Sequence, residues 1–417
     1  MINAHKLIKE LGFERLAGSR AEARAAEILT KYFKEMGLGP KLESFELTSF
    51  DTGVANVICK GKSFPAHPFG LNKNAEVAGE LVYLDNPEVI NYNLGAYKDK
   101  LIISSRYSRQ LALDAQRAGI AGFIRIGSPQ REAPSSSHRQ KNFKDGYIDS
   151  VTVKYKDGEK LIKLAGNRAK LTIKQKVKQA TAHNIVCDIK GKGYDDNLIV
   201  VGAHYDSVAR SPAASDNGGG TATVIKAAEY FSNHIPQRDL RFVLFSGEEL
   251  GLLGSQAFVE KHKQELNKRC QIMVNVDVAG DVVGFDVARV IGTKELMGYF
   301  EGLSKEIGLA FYSDLDIYSS DSMPFAKYEI PSVNILRYGG KGSYFIHTPQ
   351  DSPRQITQKG LESTITATIN FLKHILNAEI FPIKKEIDTS LREKIEKYLW
   401  NLNFEEPKLD WKPKYKR

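Results

Sequence analysis

From about residue 183 onward, apolar segments of strand length alternate with segments of helical periodicity. The predicted strands are 198–203, 240–245, 271–276 and 332–336. The predicted helices are 218–232, 250–262, 294–307 and 355–376. Alternation of this kind predicts an α/β fold with helices on both faces of a mostly parallel sheet, because each helix returns the chain to the start of the next strand.

The region from 52 to 180 has a different pattern. Short β-like runs are separated by Gly, Asn, Pro and Ser, with one predicted helix at 108–117. We therefore expect a small β-rich domain inserted into the α/β domain, which comprises residues 1–51 and 181–380. A helix at 19–36, with Ser19 and Glu22 at capping-box spacing, belongs to the first of these pieces.

Residues 381–417 are predicted to form a C-terminal extension. Within it, residues 391–402 have the pattern of a short amphipathic helix. Residues 405–417 are charged and punctuated by proline, which is typical of a frayed end. The aromatic side chains of this extension are candidates for docking on the body of the protein or on a second subunit, so a homodimer is left open.

Composition excludes several classes of partner. The formal net charge is +9, but basic and acidic side chains are mixed along the whole chain, so nucleic acid is not expected as a partner. No run of about 18 apolar residues is present, so no membrane span is expected. The first residues lack the apolar segment of a signal peptide, and the three cysteines form no CxxC pair. These features predict a cytoplasmic protein with reduced thiols.

Acidic and histidine side chains follow the predicted strands of the α/β region. Ligands in such folds bind at the carboxyl ends of strands, so the position of these residues is informative as well as their type. An aspartate two residues beyond a ligating histidine suits the role of its hydrogen-bond partner. The residues are His204, Asp206, Asp216, Glu248, Glu249, Asp277 and His347.

This set of side chains predicts a site for two divalent metal ions. Without Asp206, the two histidines and four carboxylates exceed the three protein ligands of a single catalytic zinc, but suffice for two ions that share one carboxylate. Imidazole and carboxylate suit zinc, with cobalt or manganese as alternatives. Three ligating carboxylates and a hydroxide balance the four positive charges, which leaves one carboxylate to act as a base.

Five short motifs carry a family resemblance: HYD at 204–206, ASDN at 214–217, SGEE at 246–249, NVD at 275–277 and HTPQD at 347–351. In this order they resemble the M28 family of metallopeptidases. The resemblance implies that Asp216 bridges two metals, one completed by His204 and Asp277, the other by Glu249 and His347. It further implies that Glu248 is the general base and Asp206 the partner of His204. A cis peptide between Asp216 and Asn217 is expected from the same resemblance.

The inserted region has a resemblance of its own. Its segments GELVYLDN (79–86), YKDKLIISSR (97–106) and ALDAQRAGIAGFI (112–124) are similar to a protease-associated domain. Such an insert is expected to cover the mouth of the active site and limit access to peptides. Many M28 members read SDHxPF where this chain reads SDSMPF at 320–325. Ser322 thus alters the region of the substrate pocket, for which Tyr318, Asp321 and Tyr338 are the candidate residues.

The resemblance implies an aminopeptidase in which Glu248 takes a proton from a metal-bridging water and returns it to the leaving amine. Three alternatives are open. A carboxypeptidase or dipeptidase on the same site would need cations for a free carboxylate, and Arg337 and Lys341 lie near His347 in sequence. A glutaminyl cyclase uses a related site with one zinc. An inactive receptor-like module would be expected to have lost ligands, whereas every expected ligand is present.

Overall fold

The computed structural model describes residues 2–140 and 147–402. Within them the chain forms two β-sheets, one of eight strands and one closed into a barrel. The strands of the larger sheet are β1 (Lys41–Phe50), β9 (Val177–Ile189), β10 (Leu198–His204), β11 (Asp239–Phe245), β12 (Cys270–Val276), β13 (Phe285–Ile291), β14 (Phe311–Leu315) and β15 (Ser332–Tyr338). The strands of the barrel are β2 (Val54–Cys59), β3 (Lys62–Pro68), β4 (Ala75–Tyr83), β5 (Leu101–Ser104), β6 (Gly122–Ile126), β7 (Ser150–Val153) and β8 (Arg168–Lys174).

The larger sheet has the strand order β1-β9-β11-β10-β12-β15-β13-β14. Strands β11, β10, β12 and β15 are parallel to one another, but β1 and β9 pair antiparallel, as do β9 and β11 and also β13 and β15. The prediction of a mostly parallel sheet is therefore wrong, and the sheet is mixed. Parallel neighbours need a crossover connection. The chain passes from β1 into the barrel and returns to the sheet in β9. Further along, β12 is followed by β13 with no helix between them.

Helices cover both faces of this sheet, as predicted. One face packs on α1 (Ala4–Glu10), α2 (Arg20–Glu35), α5 (Gly220–Asn233), α7 (Lys294–Glu306) and α10 (Gln358–Asn377). The other face packs on α6 (Leu253–Arg269) and α8 (Met323–Ala326). The predicted cap of α2 is confirmed, since the Ser19 hydroxyl accepts the Glu22 N–H at 3.0 Å.

The barrel is inserted between β1 and β9 and contains α3 (Arg109–Ala118) and α4 (Tyr155–Ile162). The predicted helix at 108–117 is confirmed as α3, the region is β-rich as predicted, and α4 was not predicted. The barrel has its own apolar interior, which includes Val57, Leu81, Ile103, Ile124 and Leu171. The domain boundaries and the likeness to a protease-associated domain stay predictions.

The predicted helix of the C-terminal extension is confirmed as α11 (Thr389–Asn401), which follows the short α9 (Lys341–Tyr344) and α10. Its residues Leu391 and Ile395 are buried against Leu252 and Met323 of the α/β part. The extension therefore docks on the body of the protein over this length. The predicted frayed end, 405–417, lies outside the described residues. Among the described helices, none is both long and apolar enough to cross a bilayer.

Candidate metal centre

The predicted ligands lie at one edge of the larger sheet. His204 is the last residue of β10, Asp277 directly follows β12, and Glu249 lies four residues beyond β11. His347 follows α9, the short helix after β15. Because β10, β11, β12 and β15 are parallel, their carboxyl ends meet at the same edge. Asp216 lies in the turn before α5, and the expected cis peptide to Asn217 is present.

Asp216 lies between the two histidines. Its Oδ1 is 3.2 Å from His204 Nε2, and its Oδ2 is 3.1 Å from His347 Nε2. Asp277 Oδ1 lies 3.5 Å from His204 Nε2, and Glu249 Oε2 lies 3.3 Å from His347 Nε2. Two groups of three candidate ligands therefore share Asp216, and the ligand atoms within each group lie within 4.8 Å of one another.

The state of the carboxylate oxygens fits divalent cations at this place. Asp277 Oδ1 and Glu249 Oε1 are buried, and neither accepts a hydrogen bond from a described residue. A buried carboxylate without donors is costly unless a cation or a proton compensates its charge. Oxygen and imidazole nitrogen are also the donor types that zinc binds. The residues present therefore suit two divalent ions.

Asp206 connects one of these groups to the turn that carries the predicted base. Its Oδ1 accepts the Glu248 N–H at 3.2 Å, and its Oδ2 accepts the Glu249 N–H at 3.4 Å. The same Oδ1 lies 3.4 Å from His204 Nδ1. Asp206 thus fixes the turn of Glu248 and Glu249 and lies beside the imidazole ring of His204.

Glu248 belongs to neither group of candidate ligands. Burial is the largest cause that raises the pKa of its carboxyl well above the ordinary value. The charges of Glu249 and Asp321 add to this shift, against the opposing charge of His204. Glu248 is therefore a buried carboxyl that lies outside both groups of candidate ligands.

Asp351 is a site residue that sequence reasoning missed. It is fully buried, and its two carboxylate oxygens accept the N–H groups of Ser215 and Asp216 at 2.7 and 3.1 Å. It therefore fixes the backbone of the turn that carries Asp216, the candidate ligand shared by the two groups. Asp351 is the last residue of the HTPQD motif, so the motif itself was the signal that could have identified it.

Arg15 is a second residue that was missed, and no local pattern marks it. Its side chain is fully buried. Burial lowers the pKa of its guanidinium to about 10, so it stays charged at neutral pH. Its N–H groups donate to five main-chain carbonyl oxygens, those of Leu11, Phe13, Tyr205, Pro212 and Ala213. Arg15 thus joins both ends of the loop that runs between His204 and Asp216.

We expect Arg15→Met to lower the free energy of unfolding of the metal-free protein by about 3 kcal/mol, because buried carbonyl groups lose their donors. Zinc binding should weaken about tenfold as the ligand loop loses its anchor. Thermal unfolding and competition with a chromogenic chelator measure the two effects. Arg20→Met removes the same charge from an exposed position and serves as the control. If both variants behave alike, Arg15 has no such role.

The candidate substrate residues lie near the candidate metal ligands. The Tyr318 hydroxyl is hydrogen-bonded to that of Tyr338 at 2.8 Å. Burial, with the charge of Asp277, raises the pKa of Tyr318 well above its usual value, so the hydroxyl keeps its proton. Asp321 is fully buried, and burial raises the pKa of its carboxyl to about 7. Ser322, also fully buried, does not reach a hydrogen-bond partner among the described residues.

Arg337 and Lys341 are not placed as a carboxypeptidase would need them for binding a free substrate carboxylate. Arg337 donates from Nη1 to Asp286 Oδ1 at 3.0 Å and from Nε to the Asp281 carbonyl oxygen at 2.7 Å. Its guanidinium is therefore occupied by structural contacts. Lys341 is exposed at the start of α9. These placements weigh against both residues as binders of a free substrate carboxylate.

The inserted barrel contacts the loop that carries His347. The Ser135 N–H donates to the His347 carbonyl oxygen at 2.8 Å, and Arg131 donates to the carbonyl oxygen of Ile346 at 2.5 Å. The His347 side chain is 41% exposed, whereas that of His204 is 1% exposed. The open side of the centre is therefore the side on which His347 and the barrel segment lie.

The chain is similar in sequence to known peptidases. Residues 184–372 match the sequence profile of peptidase family M28. Aminopeptidase YwaD of Bacillus subtilis (strain 168) is 28% identical over 380 residues, which is 85% of this chain and 80% of that protein.

Solved structures share the fold over almost the whole chain. BSAP, a zinc aminopeptidase from Bacillus subtilis, superimposes with a TM-score of 0.75 and 22% identity, covering 93% of this chain and 98% of that one. A glutaminyl cyclase from an Acidobacteriales bacterium has a TM-score of 0.51 and 16% identity, covering 89% of this chain and 94% of that one. At these identities the structural likeness concerns the fold.

Proposed function

Because residues 184–372 match the profile of peptidase family M28, we propose that this chain is a metallo-aminopeptidase that uses two divalent ions to remove the N-terminal residue of peptides. The observation that carries the proposal is the position of Asp216, whose two oxygens face two separate groups of candidate ligands. Zinc is the preferred ion, because the donors are imidazole and carboxylate and because the similar BSAP is described as a zinc aminopeptidase.

Each proposed ligand has a definite role. His204 and Asp277 would hold one ion, Glu249 and His347 would hold the other, and Asp216 would give one oxygen to each. When bound, the ions supply Lewis acidity to the scissile carbonyl and lower the pKa of a water at the site.

The remaining side chains move the proton and orient the substrate. The Glu248 carboxylate accepts a proton from the attacking water and then donates it to the leaving amine. Asp206 holds the His204 ring and the Glu248 turn in their relative positions. The protonated hydroxyls of Tyr318 and Tyr338 offer hydrogen bonds to the substrate on the Asp277 side.

The inserted barrel also has a role in the proposed function. We assign residues 52–180 to an inserted domain of the protease-associated kind, which narrows the entrance so that peptides, rather than folded proteins, reach the site. Its contacts with the His347 loop through Arg131 and Ser135 support this role.

The alternatives are less well supported. Arg337, one of the cations that a carboxypeptidase would need, is paired with Asp286. A glutaminyl cyclase shares the fold, but a second group of candidate ligands, Glu249 and His347 with Asp216, favours a two-ion peptidase. An inactive module is disfavoured because the full set of candidate ligands is present and gathered.

The test is metal content per chain together with hydrolysis of leucine p-nitroanilide. We expect about two zinc ions per chain, and activity that is lost to a chelator and restored by zinc. Cleavage restricted to N-blocked peptides would instead indicate a carboxypeptidase. One ion per chain with no amide cleavage would indicate a cyclase.

A further inference from the structure

A guanidinium group lies beside the turn that follows Glu248. A β-carbon built at Gly251 would be only 2.9 Å from Nη1 of Arg139, and the Gly251 N–H donates to the Glu248 carbonyl oxygen at 2.8 Å. Arg139 belongs to the inserted barrel region and is half-buried. Within residues 2–140 and 147–402, this guanidinium forms neither a hydrogen bond nor an ion pair.

A tyrosine from the C-terminal helix lies near enough to feel the charges of both Glu248 and Arg139. The Tyr398 hydroxyl of α11 is hydrogen-bonded to Ser319 Oγ at 2.5 Å. Burial raises the pKa of this hydroxyl, the nearby charge of Glu248 adds to the shift, and the charge of Arg139 opposes it. Because α11 is anchored by Leu391 and Ile395, Tyr398 is held in this position rather than carried on a loose tail.

The turn of Glu248 and the side chain of Arg139 carry opposite charges. The turn of Glu248 belongs to an acidic centre, whereas Arg139 brings a positive charge that no described carboxylate pairs with. Burying part of an unpaired guanidinium is unfavourable unless a ligand later compensates it. The planar guanidinium fork matches a carboxylate in two-point hydrogen bonding, and a tyrosine hydroxyl adds a third donor.

We propose that Arg139 and Tyr398 form a subsite that binds a carboxylate of the peptide substrate. The carboxylate is either the side chain of an acidic N-terminal residue or the C-terminus of a dipeptide. The inference rests on the proposed peptidase function, and it assigns a substrate-binding role to the inserted barrel and to the C-terminal helix.

Two matched substrate pairs test the subsite. Glutamyl and glutaminyl p-nitroanilides differ only in a side-chain carboxylate, and leucyl-glycine and leucyl-glycinamide differ only in the terminal carboxylate. We expect kcat/KM to favour the carboxylate by about tenfold in one of the two pairs, mostly through KM. The pair that responds identifies the source of the carboxylate.

Variants then show which residues cause the preference for the carboxylate substrate. Arg139→Met should bring the ratio close to unity, and Tyr398→Phe should lower it part of the way. Arg117→Met removes a charge from an exposed position of the same barrel and should keep the wild-type ratio. Equal turnover within both pairs, or an unchanged ratio in Arg139→Met, overturns the subsite.

Failure of the subsite and failure of the proposed function can be told apart. If none of the four substrates is cleaved, the aminopeptidase function is wrong. Calorimetric binding of the same two pairs to the intact, zinc-loaded protein then decides the subsite on its own. Tighter binding of the carboxylate member that is lost in Arg139→Met supports the subsite, and equal binding rejects it.

Discussion

Replacing Glu248 by Gln should lower kcat by about 10³-fold while the protein keeps its zinc. The glutamine has nearly the same shape as the glutamate, but it cannot accept a proton from the attacking water. Glu248 lies in neither group of candidate ligands, so its charge is not needed to hold an ion. Its main-chain N–H, which Asp206 accepts, is unchanged by the substitution.

The measurement is steady-state hydrolysis of leucine p-nitroanilide together with metal content per chain. Glu362→Gln, an exposed position on α10, is the matched control and should keep wild-type kcat. A Glu248→Gln protein with more than about a tenth of wild-type kcat would remove Glu248 from the role of base. Loss of zinc in this variant would instead make Glu248 a ligand.

A local pattern marks some of the candidate ligands because they lie next to short, strongly apolar strands, whereas Asp216 and His347 lie in loops beside helices. His204 and Asp277 end or follow such strands, and strands of this kind can be recognised locally. The strand β13 was missed because Asp286 and Arg289 interrupt its apolar pattern. In the structure these charges pair with Arg337 and Asp314 on the neighbouring strands, a compensation that no local pattern records.

Other features depend on contacts between distant parts of the chain. Arg15 acts on carbonyl groups that lie up to 198 positions away, so no window of sequence could reveal it. The mixture of parallel and antiparallel strands depends on where the chain leaves the sheet for the barrel, after β1, and where it returns, in β9. Arg139 and Tyr398 come from the insert and the C-terminal extension, yet Arg139 lies against Gly251 in the turn after Glu248 and the charge of Glu248 acts on the Tyr398 hydroxyl.

Asp216→Asn should remove zinc from both groups and lower kcat/KM by more than about 10³-fold. The two oxygens of Asp216 face different histidines, so an amide nitrogen in place of either oxygen loses one ligand. The lost negative charge weakens the binding of both ions. Asp351 holds this turn through main-chain N–H groups, so the fold around residue 216 should persist.

Asp277→Asn is the variant with which Asp216→Asn should be compared. Asp277 belongs to one group only, with His204, so its amide should weaken one ion and leave the Glu249 and His347 pair able to hold the other. Metal titration followed by calorimetry should therefore give about one tight site in Asp277→Asn and none in Asp216→Asn. Equal stoichiometry in the two variants would mean that Asp216 serves a single ion. In that case no residue of the proposed centre would be shared by the two ions.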